Sequence, residues 1–442
     1  MQARIYPWAA LAILTTLYTV SFIDRQVLNL LVDPIKHSLG ITDTAFSLLQ
    51  GLGFMIAFVA FNPIAGWLVD RGDRRLLLLG SAVIWSLCTI ACGLATSFTL
   101  MFAARVGVGA AEAFVMPAAW SLLAETFDQR RLPRALSIFL MGPYIGGGLA
   151  LIFGGLLIRA APPLAVAFPF LAGLETWQIV FIAVGVPGLL LALLALFIRE
   201  PRRGPREARV VTEALSVRDS LRFLWSERAF FIPFSFGMAA VIISLYSLPA
   251  WMPAVLIRSF GANPAVVGVQ FGVVSLVAGI LGVLSGPSAA RLLDGGRYAG
   301  VVLVPVVAAA GLIVGAAALI LSPGYGAALA AAGLISFCYA LPQAPASAAL
   351  QLASPAGMRG LVSALYAFIV AMIGLVIAPT LVAMMTEHVF GESAAVHQSL
   401  SAVVAVSAVA GLALSLAARR HYRPVDAPSA ERAEEAPILV NE

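Results

Sequence analysis

Residues 199–228 read REPRRGPREARVVTEALSVRDSLRFLWSER, the one long polar stretch in a 442-residue chain that is 61% hydrophobic and 11% charged. A soluble domain carries roughly 25% charged residues, so the solvent for most of this chain is lipid. A spanning helix needs about 20 apolar residues. Runs of that length fall at approximately 8–32, 44–69, 76–96, 98–125, 134–158, 177–198, 229–257, 265–290, 299–321, 325–351, 360–386 and 394–418. Six precede the polar stretch and six follow it. The predicted fold is all-α and integral to the membrane, with twelve transmembrane helices in two six-helix bundles, residues 1–198 and 229–420. A doubled layout of this kind is that of a secondary transporter.

Within the linker, the Pro- and Arg-rich first part reads as irregular. The second part, from Ser216, opens like a capping box with Asp219 and places Val217, Leu221, Leu224 and Trp225 on one face. It is predicted to be an amphipathic helix on the inner membrane surface, with an extension of the seventh span as the alternative. The tail at 421–442 is polar and reads as disordered. Arginine and lysine concentrate in alternate connections. The linker holds eight, the 2–3 and 4–5 connections three each, and the 1–2, 5–6 and 7–8 connections one each. The positive-inside rule then predicts both termini in the cytoplasm. Arginine in place of lysine, with heavy use of alanine and glycine, suggests a GC-rich bacterial genome, and the expected location is the bacterial inner (plasma) membrane. The first span continues into more membrane without a small-residue cleavage site, so it reads as retained. The net charge of +5 does not describe a nucleic-acid binder, because the basic residues are confined to connections. Cys88, Cys92 and Cys338 lie within apolar runs without metal-like spacing, and no metal or other cofactor is expected.

Charge inside the spans is rare. In SFIDRQVLNL, 21–30, Asp24 and Arg25 sit in mid-span, where each charge costs on the order of 2.5–3.5 kcal/mol on insertion scales. In FAARVGVGAAEAF, 102–114, Arg105 and Glu112 are seven residues apart, hence on one helix face about 10 Å apart. Gly107 and Gly109 between them permit close approach of another helix. Counting the helical rise from each end puts Asp24 and Arg25 between Arg105 and Glu112 in height. Arg25 is expected to reach Glu112, and Asp24 to reach Arg105. The quartet sums to zero, and two uses for it stand open. It is a static staple of helix 1 to helix 4, or a switch in which protonation of Asp24 or Glu112 frees an arginine. All four histidines lie in loops or the tail, which argues against a histidine relay. With no nucleophile and base at membrane depth, an enzyme is not expected.

The connection after the second span, GWLVDRGDRR at 66–75, resembles the signature loop G-x-L-x-D-R-x-x-R-R of the major facilitator superfamily. The resemblance implies the major facilitator fold. It also implies that Gly66, Asp70, Arg71 and Arg74 latch the two halves when the protein opens outward. The counterpart GPSAARLLDGGR at 286–297 keeps Gly286, Arg291 and Asp294, so Asp294 joins the expected latch. Asp24–Arg25, RVGVGAAEA in the fourth span and MRGLVSALY at 358–366 together look like the spinster-like branch. Members of that branch handle lysolipids or sphingoid phosphates, and bacterial ones are proposed to be proton-coupled. The resemblance implies that Asp24 and Glu112 take proton-coupling positions and Arg25 and Arg105 substrate positions.

Tyr18, Asn29, Tyr246, Gln270, Tyr339, Gln343 and Tyr366 are uncharged polar groups at plausible cavity depth, each either a helix-packing or a substrate contact. In GPYIGGG, 142–148, Gly142 and Gly146 form a small-xxx-small packing pattern. No charge lies well inside a span of the second half. An apolar, aromatic wall facing a charged one suits a charged head on a greasy body. The expected function is proton-coupled transport of an amphiphilic, lipid-like small molecule (lysolipid or sphingoid type) by alternating access, as a monomer among membrane lipids. The alternative is a proton-coupled organic-anion or drug transporter of the same fold.

Overall fold

The computed structural model describes residues 2–128, 131–200, 217–295, 299–355 and 358–425. The irregular part of the linker and most of the predicted disordered tail lie outside the described residues. Among the described residues, twelve helices are long and apolar enough to cross a membrane: Tyr6–Leu30 (α1), Asp43–Arg71 (α2), Arg74–Gly93 (α3), Phe98–Thr126 (α4), Arg134–Ala167 (α5) and Thr176–Phe197 (α6), then Arg228–Arg258 (α7), Pro264–Leu292 (α8), Gly300–Ile320 (α9), Tyr325–Leu352 (α10), Leu361–Phe390 (α11) and Ser393–Arg419 (α12). Among the described residues there is no β-strand. Each span matches an apolar run read from the sequence. A further helix, Val217–Ser226, precedes α7 and is set off from it at Glu227. Its Phe223 and Leu224 pack on the base of the second half.

Local chemistry sets the starts. The Thr42 hydroxyl accepts from Ala45 N at the head of α2, Asp73 from Leu76 N at α3, and Ser97 from Leu100 N at α4. Each satisfies one of the amides that a helix N-terminus leaves unpaired. Gly40, Gly261 and Gly391 end helical segments on the opposite side with φ of 62°, 63° and 73°, a conformation that favours glycine.

Several spans are not uniform helices. α1 tightens to a 3₁₀ turn at Val27–Leu30. α4 breaks between Glu112 and Val115, and α5 between Phe139 and Gly142. α11 carries two π-helical stretches, Met372–Ile377 and Met385–Phe390. Irregular turns of this kind gather at functional sites.

Glycine lets the halves touch. α5 and α8 cross so closely that a Cβ on Gly155 would fall 2.6 Å from the Ala265 carbonyl, and one on Gly268 2.6 Å from that of Leu151. Gly51 of α2 sits directly against the Leu375 carbonyl of α11. Because spans alternate in direction, the ends joined to the linker share one face of the molecule, here the linker face. The connections after α1 and α7 lie on the far face.

Candidate functional site

A cavity of about 680 Å³ lies between the halves. It runs from mid-membrane toward the linker face, where Leu140, Met141 and Ser347 on its wall are exposed. Tyr18, Phe22 and Gln26 line it from α1, one helical turn apart, with Tyr144 from the break in α5. Tyr246, Tyr339 and Gln343 face them from α7 and α10. No lining side chain is charged. The expected contrast between a charged and an apolar wall is therefore absent from the cavity itself.

The charge sits at the blind end. Gln26 and Tyr246 also border a small space of about 20 Å³, roughly one water, onto which Arg25 opens together with Asn29 and Gln50. Arg25 is paired to Glu112, as its height in the membrane predicts. Its guanidinium lies 4.4 Å from the centre of the Phe22 ring and 3.9 Å from that of Phe54. These aromatic faces offset part of its desolvation. Gly109 is why Phe54 can be there: the Phe54 backbone rests against it where any Cβ would collide. Gly107 likewise admits Cys88 Sγ to 2.6 Å of where its Cβ would be. Glu112 Oε1 has no hydrogen-bond partner among the described residues. Glu112 itself is the last residue before the break in α4.

Asp24 and Arg105 do not form the expected side-chain pair. Asp24 is fully buried and faces α3, where its Oδ2 accepts from the Thr89 hydroxyl at 3.3 Å. Arg105, also fully buried, donates to three carbonyls: Leu49 at 3.3 Å, and Asp24 and Arg25 at 3.4 Å. It thus serves the backbone where α1 leaves the α-helical pattern. Neither residue lines the central cavity.

Of the uncharged candidates, Tyr18, Tyr246, Tyr339 and Gln343 line the cavity. Asn29 donates to Gln26 Oε1 at 2.5 Å and accepts from Gln50 at 3.0 Å, holding the blind end together. Tyr366 lines a separate groove between α7 and α11, and Gln270 accepts from Tyr325 at 2.7 Å. Gln26 and Tyr144 escaped the sequence reading. The four-residue spacing Tyr18–Phe22–Gln26 was the available signal for the first, and Pro143 beside Tyr144 for the second.

The signature loop is organised within the first half. Arg74, 1% exposed in its side chain, bonds both oxygens of Glu125 at 2.7 and 2.8 Å and Glu200 at 2.7 Å. Arg71 stacks on Trp67 at 4.5 Å, and a Cβ on Gly66 would meet nothing within 4 Å. Asp70 and Asp294 also have interaction partners. In this conformation Arg74 ties helices of one half together rather than the two halves.

The far face carries a cross-half network that sequence reasoning missed. Arg258, at the end of α7, donates to Asp33 at 2.8 Å and to both oxygens of Asp43 at 2.8 and 2.9 Å. Lys36 joins Asp43 at 2.5 Å. Thr44 donates its amide and hydroxyl to Glu387 of α11 at 2.9 and 2.5 Å, and Gln50 donates to the Ala250 carbonyl at 3.2 Å. The cavity is sealed on this side and extends toward the other.

The sequence profile of the Major Facilitator Superfamily matches residues 14–379. A Mycolicibacterium smegmatis protein described as an MFS-type efflux pump is 28% identical over 277 residues, 63% of this chain and 61% of that protein. Human protein spinster homolog 1 is 30% identical over 329 residues, 70% of this chain and 59% of the human one. The chain thus spans about three fifths of the length of these relatives. Among solved structures, a bacterial homologue of the human lysosomal transporter spinster, inward-facing and unoccupied, superposes with a TM-score of 0.79 at 24% identity, covering 94% of this chain and 98% of that one. A D-xylose–proton symporter follows the same fold, with a TM-score of 0.69 at 14% identity, covering 91% and 97%.

Proposed function

The chain belongs to the Major Facilitator Superfamily, and from that premise we propose that it is a proton-coupled secondary transporter of an amphiphilic, lipid-like small molecule of lysolipid or sphingoid type. It works as a monomer in the bacterial inner membrane by alternating access. The observation that carries this reading is the Arg25–Glu112 pair at the blind end of a long cavity with uncharged walls. A greasy body suits the aromatic and aliphatic wall, with Tyr18, Tyr246, Tyr339 and Gln343 as polar handles. A charged head suits Arg25.

Glu112 is the coupling carboxylate in this proposal. When it takes a proton, at the unpartnered Oε1 or in place of Arg25, the guanidinium loses its anion inside a low-dielectric site. An anionic head arriving past Gln26 and Tyr246 replaces it. Asp24 acts within the bundle, supplying negative charge near Arg105 and so helping to hold the α1 break that aims Arg25. The latch of Gly66, Asp70, Arg71, Arg74 and Asp294 belongs to the opposite conformation, in which the linker face closes.

In proteoliposomes, Glu112→Gln is expected to abolish pH-driven accumulation while leaving exchange of substrate across the membrane. A variant that still concentrates substrate on a pH gradient overturns the assignment. The efflux-pump relative favours a second reading, a drug or organic-anion transporter on the same site. An uptake screen of lysophospholipids against short organic anions separates the two.

A further inference from the structure

Two grooves on the membrane-facing surface have no part in the transport cycle described above. One, of about 630 Å³, lies between α1 and α5. The other, of about 220 Å³, lies between α7 and α11, against the linker helix Val217–Ser226. A single displacement along the chain relates them. The α1 wall presents Trp8, Leu11, Ala12, Thr15 and Thr16. The α7 wall presents Arg228, Phe231, Ile232, Ser235 and Phe236, the same stripe 220 residues later. Opposite them, Ile145 and Leu149 of α5 correspond to Leu365 and Ile369 of α11, again 220 residues on. Two helices in each half keep one offset, so the grooves occupy equivalent positions in a repeated architecture.

Their heads are chemically alike although built from different residues. At the first, Arg134 lies over the Trp8 ring at 5.9 Å. At the second, Arg228 lies over Trp225 at 5.2 Å. In the first groove the tryptophan comes from α1 and the arginine from α5. In the second the tryptophan comes from the linker helix and the arginine from α7. Arg134 and Arg228 are the first residues of spans 34 and 31 residues long, well beyond the roughly 20 that cross the hydrocarbon. Both therefore stand at headgroup depth on the linker face, where tryptophan and arginine are at home. Neither is paired with a carboxylate of the described residues. A guanidinium fork matches a phosphate geometrically. Below each head the groove wall is mostly apolar, broken by Thr15, Thr16 and Thr19 in the first groove and Ser235 and Tyr366 in the second, with Phe153, Ile232 and Phe236 exposed. At this depth a lipid acyl chain suits such a wall.

We propose that these are paired sites for anionic phospholipids of the linker-side leaflet, each taking one acyl chain in the groove and the phosphate on its arginine. The sites are separate from the central cavity. They lie on the outer sides of α1 and α7, the helices that carry Tyr18, Gln26 and Tyr246 to it. Bound lipid therefore braces the two helices against which the substrate rests.

The test uses the full-length chain, delipidated in detergent, reloaded with phosphatidylglycerol or phosphatidylcholine and weighed by native mass spectrometry. The wild type is expected to hold two phosphatidylglycerols. Arg134→Gln and Arg228→Gln should each hold one, with affinity at the altered site roughly five- to tenfold weaker, and the double variant none. Thr16→Trp and Leu365→Trp, which keep the arginines and fill the grooves, should each lose one lipid as well. Two retained phosphatidylglycerols in the double variant, two retained in either groove-filled variant, or equal retention of phosphatidylcholine overturns the proposal.

Discussion

Replacing Arg258 with glutamine removes the far-face fork, and its effect can be worked out. The Arg258 side chain is 7% exposed and that of Asp43 is 2%, whereas Asp33 is 41% exposed. The Asp33 bond is screened by solvent and contributes little. The two bonds to Asp43 are charge-assisted and sheltered, worth about 1.5–3 kcal/mol each before compensation. Asp43 is not orphaned in the variant, because Lys36 remains 2.5 Å away. The net loss should therefore fall below the 3–5 kcal/mol typical of breaking a buried pair, at about 2–3 kcal/mol. That loss falls only on the conformation with its far face closed. The ratio of closed to open far face should drop by a factor of roughly 30 to 150. Spin labels at the exposed positions Ser38 and Glu392, on opposite halves, with Cys88, Cys92 and Cys338 replaced by alanine, report it by pulsed dipolar spectroscopy. The wild type should give one short distance and Arg258→Gln a substantial longer population. A folded variant with an unchanged distribution would show that the fork does not hold the far face shut.

Other outcomes follow from the same geometry. Arg74→Gln should lower the melting temperature by an amount corresponding to about 1.5–3 kcal/mol, because its partners Glu125 and Glu200 are partly exposed, without altering the far-face distances, since Arg74 joins parts of one half; a change in those distances alone would contradict this. Gly268→Val must separate α5 from α8, because a Cβ there would lie 2.6 Å from the Leu151 carbonyl and 2.8 Å from Gly155 Cα; the same spin labels should report an opened far face, and an unaltered distance would refute the packing argument. Asp24→Asn should leave pH-driven accumulation measurable where Glu112→Gln removes it. Equal loss in both would mean that Asp24 exchanges the proton itself.

The spans were legible because crossing a membrane imposes one length on an apolar run, and length is written directly in the chain. Arg25 and Glu112 were legible for a related reason, since helical rise converts residue count into height. Direction around the helix axis was harder. Asp24 and Arg25 are neighbours in sequence but project about 100° apart, so one faces the cavity end and the other the bundle interior. The expected pairing of Arg105 with the Asp24 side chain was not legible because the partners of Arg105 are carbonyls, two of them just before the turn at Val27–Leu30, which composition does not announce. Asp33, Lys36, Asp43 and Arg258 look like solvated connection charges until folding brings positions more than 200 residues apart into one network. Tyr366 sits at a suitable depth, yet its helix turns it toward a groove. The breaks in α4 and α5 left no strong mark, because Ala113–Phe114 and Leu140–Met141 are ordinary residues within apolar runs.

The two π-helical stretches of α11 set that span apart from its neighbours. Each wide turn holds surplus backbone relative to a regular helix, like slack wound onto a reel. The first contains Gly374, which meets the Tyr246 ring, and the second contains Glu387, which accepts from Thr44 across the divide. Leu375, whose carbonyl meets Gly51, and Glu387 lie within these stretches, so tightening either turn would shift one of these contacts. The span that touches both the pocket floor and the outer clasp thus carries its irregular turns at those two contacts themselves.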